Sequence, residues 1–353
     1  MSSGRAITVL HYTGGDDDRG GIVSVIRALA ASGGGDCVLG VNRGARQRRQ
    51  PALPAVEFPP LVAERIGPLN WWRAREVARA VQAWLRADAG RVFHGHSRAG
   101  LLVALWLHAW GEKRFVVSVH CYGRQRWFYR LTARRLGTRL FWLSPAMRGY
   151  YGVAGQGWTQ CIPGGVPASR VIPVSPLPGR LRLGGIGALV RWKRWHDVLA
   201  ALAALPPEAR ARVSFTHIGD GDAGYLDELR AQAARTGLEA QVSFRGPEAS
   251  SDRLLGEIDA LVVAGEREPF SIALLEALAA GVPAIAGDSG GNPDVIAGGV
   301  NGILYRTGDS AALAGKIQAW LANPPILNRE KIRGTAVAIE RVAAQWADIY
   351  SGL

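Results

Sequence analysis

The feature that most constrains this chain is a rhythm that plays twice. Short, continuously apolar runs alternate with longer stretches of helical period. In the first half the strand candidates are ITVLHY (7–12), CVLGV (37–41), VFHG (92–95), FVVSV (115–119) and LFWL (140–143). Helical patterns cover 71–88 and 98–110. Strands that are apolar on both faces and separated by helices predict a parallel sheet covered on both sides. Residues 162–185 carry five prolines and no periodic apolar pattern, and read as a linker. The alternation then restarts with GALV (187–190), RVSFTHI (212–218), QVSF (241–244), ALVVA (260–264), PAIAG (283–287) and GILYR (302–306), and 330–353 reads as helix. The fold class is therefore α/β, with two doubly wound domains. The expected division is a first domain over 1–168, a Pro/Gly-rich hinge over 169–185 and a second domain over 186–329. The helix over 330–353 is expected to pack back on the first domain. Ligands of such sheets bind beyond the carboxyl ends of the strands, so a central cleft faced by both domains is the expected site.

Length and charge agree with this plan. The 353 residues are too many for one ordinary core and enough for two. No run of about 18 apolar residues is present, so no membrane-spanning helix is expected. The N-terminus runs straight into a strand with no signal-peptide pattern. The three cysteines, Cys37, Cys121 and Cys161, are scattered and form neither a disulfide framework nor a metal-binding spacing. A reducing cytoplasm is the expected compartment. Residues 1–175 carry 24 Lys+Arg against 9 Asp+Glu, a net +15, while the remainder carries 18 against 20. An anionic partner is expected to meet the basic half.

One stretch of the other half points to chemistry. EREPFSIALLEALAAGVP (266–283) follows a buried strand and places Glu268 and Glu276 eight positions apart. Ser271 is a plausible N-cap, and the helix is closed by Gly281 and Pro283. The first amides of that helix have no partners within it and suit a phosphate. Carboxylates would repel a phosphate, but they pair well with adjacent hydroxyls. A ligand with sugars on both sides of a diphosphate, a nucleotide sugar, uses every part of this arrangement.

The segment resembles the E-x7-E motif of retaining glycosyltransferases of family 4, with the B-type fold of two Rossmann-like domains (GT-B). Further segments follow in the family's order: GGIVSVIRALA (20–30), VFHGHS, VVSVHCYG, CIPGGVP (161–167), IGALVRWKRWHDVLAAL (186–202), THIGDGD (216–222), VSFRGP (242–247) and GDSGGNPDVI (287–296). The resemblance implies roles. Glu268 would contact the donor sugar. Phe270, Ser271 and Ile272 would offer main-chain N–H groups to the diphosphate, and Glu276 would bind ribose. Lys193 would neutralise the leaving diphosphate. Gly20 and Gly21 would let the backbone approach donor phosphates and acceptor. His120 would sit near the reacting centre, and Arg245 and Gly246 would border the nucleobase. His120, Glu268 and Lys193 are thus the candidate catalytic residues. The chain departs from the pattern at Ala188, where the family usually has an arginine, with Arg191 as a candidate replacement. It departs again at Ser271 and Gly164, where glycine and asparagine are usual.

The implied activity is retaining, metal-independent transfer of a hexose from a UDP- or GDP-sugar to a glycan or lipid-linked acceptor. Surface polysaccharide or lipopolysaccharide assembly is the implied setting, and no cofactor is expected. Two carboxylates could also serve a glycosidase, but Glu276 lies inside a helix, well removed from Glu268. His94 and His96 have HxH spacing with no third ligand apparent. Asp16–Asp18, and Asp220 with Asp222, formally satisfy a metal-binding D-x-D, against the B-type pattern. The segments NWWRAREVARAVQAWLR (70–86) and RQRWFYRLTARRLGTRLFWL (124–143) interleave arginines with aromatics. They suit an anionic membrane surface, which would make the protein peripheral on the cytoplasmic face. No nucleic-acid-binding module is recognisable. The rival readings are a nucleotide-sugar epimerase on the same fold and a non-catalytic binder of sugar nucleotides or polyanions.

Overall fold

The computed structural model describes residues 7–14, 21–33, 35–45, 52–62, 66–167, 179–325 and 328–353. Gly20, Asp16–Asp18 and most of the expected hinge lie outside the described residues. The chain divides into two compact units, one of Met1–Pro167 with Ala338–Leu353, the other of Ala168–Val337.

The first unit contains β1 (Thr8–Tyr12), α1 (Gly21–Ala31), β2 (Asp36–Asn42), β3 (Ala55–Phe58), α2 (Pro68–Arg86), β4 (Arg91–His96) and α3 (Ser97–Ala109). It continues with β5 (Phe115–Val119), α4 (Arg126–Leu136), β6 (Leu140–Trp142), α5 (Pro145–Tyr151) and β7 (Gln160–Cys161). The strands form one parallel sheet in the order β3-β2-β1-β4-β5-β6-β7. The order reverses between β1 and β4, which makes their carboxyl ends the place where a ligand of this sheet is expected. There the backbones of Gly95 and Gly100 approach so closely that a Cβ on Gly95 would lie 2.8 Å from the carbonyl oxygen of Gly100. Only glycine permits that turn from β4 into α3.

The second unit begins with β8 (Leu181–Ile186), α6 (Trp195–Ala203), α7 (Pro207–Arg210), β9 (Val213–Ile218), α8 (Ala223–Arg235), β10 (Val242–Phe244) and α9 (Asp252–Glu257). It continues with β11 (Ala260–Val263), α10 (Ile272–Ala279), β12 (Ala284–Gly287), α11 (Asn292–Val295), β13 (Gly302–Tyr305), α12 (Ser310–Ala322) and α13 (Arg329–Arg333). Its parallel sheet has the order β10-β9-β8-β11-β12-β13, with the reversal between β8 and β11. Two cores cover its faces. One gathers Trp195, Leu199, Leu229, Ile317 and Trp320, and the other Leu254, Leu274, Leu278 and Ile332. Both sheets are doubly wound, as the alternation predicts.

Three expectations need correction. The first strand of the second unit lies at 181–186, beginning inside the expected hinge and ending one residue past it, and GALV (187–190) is not a strand. Gly184 and Gly185 sit against the side chains of Ile258 and Phe215, so the neighbours fill the space of the missing side chains and the apolar pattern is lost. The short strands β3 and β7 were not predicted, one flanked by prolines and the other two residues long. Residues 330–353 are not one helix. After α13 the chain breaks over 334–338, pairs Ala338 with Val166, and begins α14 (Ile339–Ser351) in the first unit.

Candidate functional site

In the second unit the candidate site is built at the carboxyl ends of β8 and β11. After β8 the chain turns through Arg191–Lys193 and a left-handed Arg194 into α6, which carries Lys193 towards the end of β11. After β11 comes the loop 265–271. Lys193 Nζ donates to Glu268 Oε2 at 2.6 Å, with the two side chains only 14% and 8% exposed. Lys193 also lies 4.8 Å from the Trp192 ring centroid. Buried charges of this kind persist only when paired.

The loop carrying Glu268 is held from behind. Gly291 N–H donates to the Glu268 carbonyl at 2.8 Å, and Arg267 N–H donates to Ser289 Oγ at 2.7 Å. Arg267 adopts φ 52°, a left-handed conformation costly for a residue with a Cβ. Gly290, at φ 62°, leaves no room for a side chain: a Cβ there would fall 1.9 Å from the Glu268 carbonyl oxygen. The segment 287–291 therefore fixes the backbone from which the Glu268 side chain projects.

Phe270 and Ser271 are buried, and α10 starts at Ile272. Ser271 Oγ accepts from the Leu274 N–H at 3.3 Å, which occupies one of the first-turn donors. The helix still ends in backbone donors with partial positive charge next to Lys193 and Glu268. One turn further along, Glu276 is half-buried and accepts from Ser251 Oγ at 2.9 Å. Arg245 pairs with Glu257 and lies 3.8 Å from Glu248, and the adjacent Gly246 has φ 78°. Arg191 is exposed and bonded to Glu228 at 2.7 Å, with its guanidinium 5.4 Å from the Tyr225 ring. The structure thus brings Lys193 and Glu268 together and holds Arg191 on α8. Asp222 caps α8 by accepting from the Tyr225 N–H at 2.8 Å.

In the first unit, His120 follows β5, and Gly21 opens α1. His120 Nε2 is 2.9 Å from His96 Nδ1, and His96 Nε2 is 3.0 Å from His11 Nδ1. His11 Nε2 is 3.6 Å from Cys37 Sγ. His94 stacks on His96 at 4.0 Å between centroids and bonds Tyr350 at 2.7 Å and Ser118 at 2.8 Å. The register β1–β4 sets His11 beside His94, so a third imidazole does join the HxH pair, contrary to the sequence reading. Burial lowers every pKa of the cluster. His11 falls to about 3 and His120 to about 4, while His94 and His96 fall well below the ordinary value. All four rings are neutral at pH 7. His11 and Ser251 are the site neighbours that sequence reasoning missed. Strand register was the only signal for the first, and nothing marked the second.

The comparisons with known proteins fall on the same elements. A family model described as Glycosyl transferases group 1 matches residues 178–336. Over these residues, a little under half of the chain, the sequence is similar to the group 1 glycosyl transferases. This bears out the resemblance to B-type glycosyltransferases. The family match encloses Lys193, Arg191, Arg245, Gly246, Glu268, Phe270, Ser271, Ile272 and Glu276, and leaves Gly20, Gly21 and His120 outside. EpsD of Bacillus subtilis (strain 168), named as a glycosyltransferase, is 31% identical over 211 residues, 55% of each chain. N-acetyl-alpha-D-glucosaminyl L-malate synthase of Bacillus anthracis is 34% identical over 122 residues, 35% of this chain and 31% of that protein. The chain therefore spans about half or less of these curated relatives. Among solved structures, Anabaena HepE in complex with UDP has a TM-score of 0.76 at 20% identity, covering 98% of this chain and 100% of HepE. Sucrose-phosphate synthase from Thermosynechococcus elongatus has a TM-score of 0.78 at 20% identity, covering 98% of each chain. At that identity the likeness establishes the GT-B fold.

Proposed function

We propose that the protein transfers a hexose from a nucleoside-diphosphate sugar to a glycan or lipid-linked acceptor, with retention and without a metal ion. The buried Lys193–Glu268 pair beside the N-terminus of α10 carries this reading. Departure of a nucleoside diphosphate builds negative charge on its bridging oxygen. A preorganised ammonium and the first amides of a helix stabilise that charge where it develops. Glu268 accepts from the hydroxyls of the sugar, and Glu276 accepts from those of the ribose. Retention follows when the acceptor enters on the face from which the diphosphate leaves, with a diphosphate oxygen taking the acceptor's proton. Uridine is the favoured base, because HepE is known in complex with UDP and with UDP-glucose.

The first unit supports an acceptor at an anionic membrane surface. Trp72 on α2 and Trp127 on α4 are 62% and 64% exposed, and Leu69 and Leu131 are exposed with them. The starts of the two helices are tied by the Ile66 N–H donating to Gln125 Oε1 at 3.2 Å. Arginines line both helices. No described helix is long and apolar enough to cross a membrane. Basic, aromatic faces of this kind bind at the headgroup level.

The test is nucleotide release from UDP-, GDP-, ADP- and dTDP-sugars, with and without EDTA. EDTA-insensitive release from one donor, lost in Glu268→Ala with the fold intact, is the expected result. No binding and no release from any donor would overturn the proposal.

A further inference from the structure

The histidines of the first unit form a chain rather than a group. Cys37, His11, His96 and His120 are linked end to end, at 3.6, 3.0 and 2.9 Å. Each inner ring uses both of its nitrogens in the chain. A neutral imidazole has one N–H and one lone pair, so choosing the proton position on one ring fixes it on all the others. Only two self-consistent arrangements exist, one donating outward from Cys37 and one donating inward from His120.

The inner end decides between them. Burial pushes the Cys37 thiol up to about 11, so it keeps its proton. A thiol is far more acidic than a neutral imidazole N–H, and sulfur is a weak acceptor. An S–H donating to an imidazole lone pair is therefore the better bond, and a buried ring N–H aimed at sulfur is the worse one. Cys37 then donates to His11 Nε2, His11 Nδ1 to His96 Nε2, and His96 Nδ1 to His120 Nε2. His120 is left with its proton on Nδ1, which has no hydrogen-bond partner among the described residues.

We propose that Cys37, His11 and His96 are positioning residues that lock His120 in the Nδ1–H tautomer, making it a fixed hydrogen-bond donor to a ligand oxygen. This rests on the reading that His120 stands at the reacting centre of the proposed transfer. His94 supports the chain by stacking on His96 while its own nitrogens are held by Tyr350 and Ser118. In this state His120 cannot act as general base through Nε2, whose lone pair is already taken. The same three buried rings, His11, His94 and His96, have ligand atoms within 4.8 Å of one another, a spacing a metal ion could also use. Every one of those nitrogens already has a hydrogen-bond partner, which favours the chain.

The test is the tautomer of His120 in the full chain. Long-range 1H–15N correlation spectra of 15N-histidine-labelled protein report it, with the signal assigned by His120→Asn. The expected result is a neutral ring protonated at Nδ1. His96→Phe keeps a ring against His94 but deletes both bonds, and should let His120 populate both tautomers. His96→Gln, whose amide can accept from His11 and donate to His120, should restore the single form. A His120 protonated at Nε2, a tautomer unchanged in His96→Phe, or one metal ion per chain in purified protein would each overturn the proposal. None of these readouts needs a sugar donor, so failure of donor turnover would strike the transferase reading and leave the tautomer result standing.

Discussion

The Lys193–Glu268 pair makes a prediction that runs against the usual effect of mutating a binding site. In the structure the ammonium already has a carboxylate partner at 2.6 Å, in a largely dry setting. A diphosphate that recruits Lys193 must draw it away from Glu268. Glu268→Gln keeps the shape and an ammonium-to-oxygen hydrogen bond but removes the ion-pair attraction, about 1 kcal/mol even for a well-screened pair. UDP, which has no donor sugar for Glu268 to hold, should therefore bind Glu268→Gln about fivefold more tightly than the natural protein. Turnover of the sugar donor should fall in the same variant, because the carboxylate proposed to order the sugar is gone. Titration calorimetry with UDP reads the first effect and nucleotide release reads the second. Lys193→Ala is the control and should weaken UDP binding. If Glu268→Gln binds UDP no more tightly, the ion pair does not compete with the diphosphate and the assignment of Lys193 is wrong.

Other outcomes follow from neighbouring features. Ser251→Ala removes the donor that orients Glu276 and should weaken UDP by about 0.5–1.5 kcal/mol, while barely affecting 2′-deoxy-UDP, when both are titrated. Gly290→Ala should lower the melting temperature by several degrees, since it forces a Cβ onto the Glu268 carbonyl at positive φ and costs more than about 1 kcal/mol. Gly157→Ala, with no atom within 4 Å of the added Cβ and no positive φ, is the neutral control. The buried histidines make stability pH-dependent. Their folded pKa values lie below the ordinary 6.5, at about 3 for His11 and about 4 for His120 and His217. Their stability is fully present above pH 6.5. As pH falls below that value the unfolded chain takes up protons that the folded chain refuses. Each such histidine steepens the loss by up to about 1.4 kcal/mol per pH unit. Urea unfolding at pH 7.5 and 5 should show a clear loss that shrinks in His11→Gln, and equal stability at both would refute the burial argument.

How much was legible depended on what each element asked of its residues. The central strands were readable because Val, Ile, Leu and Phe fill both faces, as in FVVSV at Phe115–Val119. The strand Leu181–Ile186 was hidden because the side chains it lacks are supplied by Ile258 and Phe215 from elsewhere in the chain. The break between α13 and α14 was hidden because both have helical period, and only tertiary packing sends Ile332 to one core and Trp346 to another unit. In the candidate site, Glu268, Ser271 and Glu276 announced themselves by motif and N-cap chemistry. Lys193 was nominated by resemblance, and the structure adds its carboxylate partner. His11 could not be found from local sequence. Its contact with His96 spans 85 positions and exists only because β1 and β4 are neighbours.

The helix α14 has a consequence for how this molecule is made. The first unit holds residues up to Pro167 and then nothing until Ala338, so the whole second unit is synthesised between its two parts. His94 emerges from the ribosome early, but its partner Tyr350 and the neighbouring Trp346 follow about 250 residues later. At about 5–20 residues per second, the nascent histidine cluster waits more than ten seconds with one wall missing. During that interval the second unit can complete both of its cores, while the first unit stays open along the side that α14 will occupy. The order in which the units are completed is thus the reverse of the order in which they begin, and the first unit is the last to close.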